Sequence, residues 1–179
     1  MLRIITIIIF VLLPSQLLAL IEVDITRGNL NPLPIAVSPL SIDENSRQNF
    51  KKILKKKNIG SEISKVVENN LKTSGLFNPL NKDAFLQAPD IANLKPRFED
   101  WNLIKAQALV TGKVTYVDEK LRVEFRLWDI LAGREMMALA FTTVPTNWRR
   151  VGHIISDKVY ERLTGERGYF DTRIIYVAE

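Results

Sequence analysis

The middle of the chain carries the clearest strand pattern. Across residues 121–127, apolar residues at every second position alternate with charged ones. This period of two is typical of a strand that buries one face and exposes the other. Residues 108–117 and 136–144 are also rich in strand-forming residues, and short links at 118–119 and 132–133 separate the three segments. The pattern therefore predicts an antiparallel meander of three strands.

Apolar positions spaced by three or four residues predict two long helices, one before this meander and one after it. The shorter apolar stripe, within residues 63–71, would begin after a Ser61 cap and end at Gly75. The longer stripe would begin after a Thr146 cap and end at Gly165. Its members recur along one helical face: Trp148, Val151, Ile155, Val159 and Leu163.

The remaining segments give weaker signals. Residues 35–37 form a short apolar run that is typical of a buried strand, and residues 169–178 contain a predicted final strand. Residues 43–59 are compatible with a short helix or a solvated loop. Three prolines make residues 78–96 mostly connection, and a short helix is expected near residues 98–104. Together these segments predict an α+β domain with a mixed β-sheet and helices on one face.

Residues 21–26 (I-E-V-D-I-T) alternate strictly and lie ahead of a segment that contains Pro32 and Pro34. An alternating strand on such a tether is suited to adding to the edge of a partner's sheet. The same strand could equally pair within its own domain. The pattern alone leaves these two alternatives open and marks residues 20–33 as a flexible N-terminal arm.

The first residues have the anatomy of a secretory signal peptide. Arg3 precedes an apolar run at residues 4–13, Pro14 interrupts it, and Ala19 offers a small residue for cleavage. A membrane-spanning helix would need about 20 apolar residues without interruption. We therefore expect residues 1–19 to be removed on export, with no transmembrane helix in the mature chain.

Composition excludes several kinds of site. The 179 residues have a net charge of +5, no cysteine and a single histidine. A disulfide framework, a thiolate metal site and a cysteine nucleophile are therefore excluded. No glycine-rich phosphate-binding motif occurs. We expect no catalytic residue, no metal and no cofactor, and hence a protein that is not an enzyme.

His153, Ser156 and Asp157 are the nearest approach to a catalytic constellation. They lie at positions i, i+3 and i+4 of the predicted last helix. A nucleophile, its base and an orienting acid need a chain of hydrogen bonds around an exposed reacting site, which one rigid helical face rarely provides. A capping or surface hydrogen-bonding role is expected instead.

A run of lysines forms a second candidate surface. Five of the seven residues in 51–57 are lysines, and few aromatic residues stand nearby to stack on bases. Export also argues against nucleic acid as a partner. The run is compatible with an ordinary solvated face or with an anionic membrane surface. The candidate patch consists of Lys51, Lys52, Lys55, Lys56 and Lys57.

Longer motifs resemble one known family along nearly the whole mature chain. They are P-I-A-V-S-P-L (34–40), N-L-K-T-S-G-L-F-N-P-L (70–80), L-V-T-G-K-V (109–114) and, most specifically, the stretch from W-R-R-V-G-H to R-I-I-Y-V (148–177). These motifs are similar to those in the amino-terminal domain of the TolB family, the periplasmic component of the Tol-Pal system. The resemblance assigns residues 34–179 to that domain.

The resemblance implies a fold similar to the anticodon-binding domain of class II tRNA synthetases. Family members also have a C-terminal β-propeller that binds Pal, the peptidoglycan-associated lipoprotein. This sequence ends where the propeller would begin, so Pal binding is expected only through a propeller absent from this chain. A fragment and a split gene product are both compatible with that ending.

The resemblance also favours partner binding by the arm. In the family, the mature N-terminus binds the C-terminal domain of TolA by β-strand addition. The resemblance implies a protein–protein interaction module that supports outer-membrane integrity, cell division and protein transport. The alternative is a general periplasmic adaptor that contacts anionic membrane through residues 51–57. The implied TolA-binding residues are Glu22, Val23, Asp24, Ile25, Thr26, Arg27 and Gly28.

Overall fold

A single mixed sheet organises the chain in the computed structural model, which describes residues 31–56 and 58–172. The strands are β1 (Leu33–Val37), β2 (Ser41–Ile42), β3 (Phe77–Pro79), β4 (Ala108–Val117), β5 (Lys120–Asp129) and β6 (Arg134–Thr143). The helices are α1 (Glu44–Leu54), α2 (Ile59–Thr73), α3 (Pro89–Leu94), α4 (Phe98–Leu103) and α5 (Trp148–Thr164). Two 3₁₀ turns occupy Lys82–Ala84 and Pro145–Asn147.

The sheet joins a parallel half to an antiparallel half. Its order is β3-β1-β4-β5-β6, and the short β2 also pairs with β4. β1 runs parallel to β3 and β4, whereas β4, β5 and β6 form the predicted antiparallel meander. Asp118 and Glu119 join β4 to β5 with φ of 49° and 59°. Two consecutive left-handed residues are the geometry that suits a two-residue hairpin. The α+β class with a mixed sheet is confirmed.

The main core lies between one face of the sheet and the three long helices α1, α2 and α5. Phe50 of α1, Ile63 of α2 and Ile155 of α5 are fully buried there, against strand residues such as Phe125. All five residues of the predicted α5 stripe are buried as well. The long helices therefore cover one face, as the sequence predicts.

A second, smaller cluster covers part of the opposite face. Trp101 of α4 is 1% exposed, and its Nε1 donates to Gln87 Oε1 at 2.7 Å. Trp128 of β5 donates from Nε1 to Thr111 Oγ1 at 2.9 Å. The short helices α3 and α4 supply this cover, so helices lie on both faces. Residues 78–96 contain α3, a 3₁₀ turn and the end of β3, and are more structured than the three prolines suggest.

Both predicted N-terminal caps are wrong. α2 begins earlier, at Ile59, because the side-chain oxygen of Asn58 accepts a hydrogen bond from Ser61 N at 3.1 Å. Thr146 lies inside a 3₁₀ turn, and Asn147 precedes α5 without a capping side-chain hydrogen bond. Gly165 ends α5 as predicted, with a left-handed φ of 74°.

Residues 43–59 resolve into α1 and the start of α2. Asp43 caps α1, since its Oδ1 accepts from Ser46 N at 2.8 Å. That backbone hydrogen bond outweighs burial and holds the pKa of Asp43 below its ordinary value.

The predicted final strand does not begin at Tyr169. Residues 169–172 contain no strand and bend at 170 and 171, and the rest of the predicted strand, residues 173–178, lies outside the described residues.

Candidate partner-binding surfaces

Residues 20–30 of the arm lie outside the described residues, whereas residues 31–33 lie within them and Leu33 already belongs to β1. The signal peptide (1–19) and the implied TolA-binding residues 22–28 precede Asn31, the first described residue. β1 begins at Leu33, whose N–H donates to Leu76 O at 2.9 Å. One residue later, Pro34 O accepts from Gln107 N at 2.9 Å. Any arm ahead of Leu33 is therefore anchored on a strand that has neighbours on both sides.

The lysine run divides into an exposed part and a tethered part. Lys51 and Lys52 lie in the last turn of α1, and Lys55 follows the helix in a left-handed conformation with φ of 55°. All three side chains are exposed, and Ile53 beside them is 46% exposed. Nothing holds these three lysines in ion pairs among the described residues. They form an exposed basic surface that adjoins the exposed Ile53.

Lys56 is held instead against Trp148 and Glu62. Its Nζ lies 4.9 Å from the centre of the Trp148 ring and 3.7 Å from Glu62 Oε2. Lys65 Nζ donates to the other oxygen of Glu62 at 3.3 Å. The hydrogen bond from Lys65, helped by the charge of Lys56, keeps the pKa of Glu62 below its ordinary value. Lys56 is therefore less available to a partner than the other lysines, while Lys57 lies outside the described residues.

His153, Ser156 and Asp157 serve two separate hydrogen-bond networks. Asn70 Nδ2 lies 2.9 Å from His153 Nδ1 and donates to Ser156 Oγ at 3.0 Å. Ser156 donates in turn to Gly152 O at 2.9 Å. These contacts tie α2 to α5 and lead away from Asp157. The three side chains therefore form no catalytic relay.

Asp157 binds the chain that follows α5. Its Oδ1 accepts from Phe170 N at 2.6 Å and its Oδ2 from Asp171 N at 3.1 Å. Arg150 adds a two-nitrogen contact to the Asp171 carboxylate at 3.1 Å. These contacts hold residues 170 and 171 along the side of α5, which is the hydrogen-bonding role expected for Asp157.

One surface escaped the sequence analysis altogether, namely the outer edge of β6. In the sheet order, β6 is terminal and pairs only with β5 among the described strands. The available signal was the absence of any charge from residues 136–143 (M-M-A-L-A-F-T-T). That signal could not be interpreted without the strand order, because the same run would suit a central strand.

Neither a cluster of metal ligands nor a helix able to span a membrane occurs among the described residues. No cluster of three or more acidic or histidine side chains there has the arrangement needed to hold a metal ion. No helix within residues 31–56 and 58–172 combines the length and apolar character needed to cross a bilayer.

Comparison with known proteins places the chain in one family. The sequence model of the TolB amino-terminal domain matches residues 21–136. The Tol-Pal system protein TolB of Pelagibacter ubique (strain HTCC1062) is 82% identical over 172 residues, covering 96% of this chain and 39% of that protein. The chain thus spans about two fifths of the length of this curated relative.

A crystal structure of TolB from Acinetobacter baumannii supports the fold. It superposes with a TM-score of 0.60 at 22% identity, covering 78% of this chain and 30% of that one. The similarity confirms the mixed α+β architecture, and the proposed likeness to the anticodon-binding domain stays a prediction.

Proposed function

The chain belongs to the TolB amino-terminal domain family, and on this premise we propose that it is a periplasmic, non-enzymatic interaction module of the Tol-Pal envelope system. Its proposed partner is the C-terminal domain of TolA, and the arm at residues 20–33 is the proposed contact. In this role the chain supports outer-membrane integrity and cell division. Signal-peptide cleavage after residue 19 would deliver it to the periplasm.

The observation that carries the proposal is the extent of the family match. The match begins at residue 21 and therefore includes all seven proposed contact residues, 22–28. The relative with 82% identity is itself named a Tol-Pal system protein. Family membership favours the partner-binding alternative over pairing of the arm within its own domain.

The proposed mechanism is strand donation. Backbone groups of the arm would pair with an open strand edge of TolA and supply most of the affinity. Ile21, Val23 and Ile25 would share one face of the added strand and occupy apolar sites on the partner, because alternate strand residues point the same way. Glu22 and Asp24 would face the opposite side. The β1 anchor at Leu33 limits how far this strand can move from the domain.

Calorimetric titration of the full chain with the TolA C-terminal domain tests this mechanism. Val23→Asp should weaken binding by tenfold or more, about 1.4 kcal/mol or above, because it would bury an unpaired charge. Asp24→Asn is the matched control, since it keeps the shape on the opposite face, and should change affinity by less than about threefold. Equal affinities for all three proteins would remove the arm from the interface.

We also propose a second candidate function for the exposed lysines, as an anchor on anionic membrane. Lys51, Lys52 and Lys55 are exposed and Ile53, their neighbour in sequence, is half-exposed, so cationic groups and an apolar side chain are both available to a membrane surface. Each lysine near an anionic surface contributes about 1 kcal/mol.

Co-sedimentation of the full chain with vesicles of mixed phosphatidylserine and phosphatidylcholine tests this second function. Changing Lys51, Lys52 and Lys55 together to glutamate should abolish binding. The matched control changes three exposed lysines elsewhere, Lys95, Lys105 and Lys120, and alters the net charge equally. Equal losses of vesicle binding in the two triple variants would show that only net charge matters. Vesicle binding retained by both variants would exclude Lys51, Lys52 and Lys55 as the membrane anchor.

A further inference from the structure

β6 is a long edge strand without the features that normally prevent pairing with another chain. The opposite edge, β3, has only three residues and ends in Pro79, whereas β6 has ten residues. Long edge strands are normally protected by charged side chains, prolines or strong bulges against pairing with other chains. Residues 136–143 contain neither a charge nor a proline. Its single irregularity, opposite Leu127 and Trp128, lies near the start of β6 and leaves the later residues regular.

A groove runs along the helical side of this edge. It has a volume of about 340 Å³ and lies between the end of β6 and the first two turns of α5. Phe141, Val151 and Ile154 provide its apolar wall. Phe141 and Ile154 are only half-buried, and Leu139, which points to the same face of β6, is 38% exposed. Apolar side chains from an added strand would gain burial in this groove.

A second, polar groove runs along the other side of β6. The small side chains of Ala138 and Ala140 form its floor, and Arg122 and Arg126 of β5 stand beside them. Each arginine has a glutamate neighbour: Arg122 Nε donates to Glu124 at 2.9 Å, and Arg126 Nε lies 3.6 Å from Glu135. All four side chains are 39–47% exposed, so these pairs are solvent-facing and weak.

The guanidinium groups therefore retain donors for a further carboxylate. Arginine has five N–H donors, and the single contacts to Glu124 and Glu135 use only a fraction of them. Ala138 and Ala140 are both exposed and present no side chain that would block an approaching carboxylate. An acidic residue on the same face of an added strand would lie beside these alanines.

We propose that the β6 edge accepts a strand from a protein whose side chains alternate between apolar and acidic. Backbone hydrogen bonds would join that strand to β6, apolar side chains would enter the groove beside α5, and carboxylates would face Arg122 and Arg126. Strand addition uses this division, with affinity from the backbone and specificity from alternate side chains. This role goes beyond the proposed function, because there the chain donates a strand and here it receives one.

Fluorescence anisotropy with two labelled synthetic peptides tests the proposal on the full chain. The first peptide, V-E-I-D-V-E-I, has the expected alternation, and the second, V-K-I-K-V-K-I, replaces every acid with lysine. The acidic peptide should bind saturably and about tenfold or more tightly than the basic one, a difference of about 1.4 kcal/mol. The proposal would be overturned if the acidic peptide showed no saturable binding. It would also be overturned if the basic peptide bound as tightly as the acidic one or more tightly.

Variants locate the site. Leu139→Lys places a charge on the edge and should lower the affinity for the acidic peptide at least tenfold. Val117→Lys is the matched control, since Val117 is also an exposed apolar strand residue, at 50%, and lies in the first meander hairpin. Binding that survives Leu139→Lys in a protein with unchanged circular dichroism would contradict the assignment.

Charge reversal and oligomeric state complete the test. Changing Arg122 and Arg126 together to glutamate should reverse the preference from the acidic peptide to the basic one. An unchanged preference would exclude the polar groove as the source of specificity. Light scattering shows whether a second copy occupies the edge instead. A dimer that Leu139→Lys dissociates would overturn the proposal.

Discussion

Replacing Ile155 with alanine should destabilise the domain far more than the same change at its neighbour Ile154. The two residues are adjacent on α5 and lose the same atoms, so helix propensity and chemistry are matched. Ile155 is 0% exposed within the main core, whereas Ile154 is half-buried on the groove beside β6. The comparison therefore isolates the contribution of burial.

The magnitude follows from the atoms removed. Isoleucine to alanine removes three carbons, and at about 0.8 kcal/mol for each buried carbon the transfer loss at Ile155 is about 2.4 kcal/mol. A residual cavity raises the expected loss to about 3–4 kcal/mol. At Ile154 the side chain is only partly buried and solvent fills the space, so the loss should stay near or below about 1 kcal/mol.

Urea unfolding followed by tryptophan fluorescence measures both losses as changes in the free energy of unfolding. The slope of the unfolding free energy against urea should be unchanged in both variants. Equal losses at Ile154 and Ile155, or a loss at Ile155 below about 1 kcal/mol, would refute the placement of the α5 stripe in the core.

Two further predictions concern a helix cap and a helix contact. Asp43→Ala should cost about 1 kcal/mol at neutral pH. The pKa of Asp43 is lower in the folded protein than in the unfolded chain, where it is near 3.8. The stabilisation by Asp43 is therefore present above pH 3.8 and is lost as the pH falls through the folded-state pKa. In urea unfolding, the stability difference between Asp43→Ala and the wild type should vanish in acid. Gly152→Ala would place a Cβ 2.8 Å from Val66 Cγ1 and should lower stability despite its better helix propensity. Val66→Ala removes the contact with Cγ1 but keeps Val66 Cβ at 2.9 Å, so a double-mutant cycle should show partial relief of that clash. Additive losses would show that the two helices are not in tight contact there.

The sequence predicts most reliably the elements whose own residues determine their conformation. The α5 stripe and the alternation of β5 are periodic over many residues, so local spacing specifies which side of each element is buried. The two-residue link at 118–119 is equally local. Each of these predictions is confirmed because no distant partner is needed to define it.

The missed elements depend on distant partners or on local signals that have two meanings. β3 exists through parallel pairing with β1, where Leu33 lies opposite Phe77, and its last residue is a proline. α3 begins at Pro89, and proline at the first helical position favours a helix although it suggests a loop when considered alone. The first turn of α2 packs against Leu40, where a Cβ on Gly60 would lie 2.2 Å from Leu40 O.

The candidate surfaces show the same division. Exposure of Lys51, Lys52 and Lys55 follows from their charge alone. The contact between Lys56 and Trp148 joins residues that are distant in sequence and could not be anticipated. The open edge of β6 likewise emerges only from the strand order, because an uncharged apolar run does not reveal how many neighbours it has.

Hydrogen exchange of the arm is the most direct test of strand donation to TolA. The full chain would be exchanged alone and with excess TolA C-terminal domain, and peptides covering residues 21–28 and 44–54 compared by mass spectrometry. Donated backbone amides should become protected, since they would then be paired with a partner strand. The account predicts strong protection of residues 21–28 on addition of TolA, with α1 unchanged. Binding of TolA without any protection of residues 21–28 would contradict it.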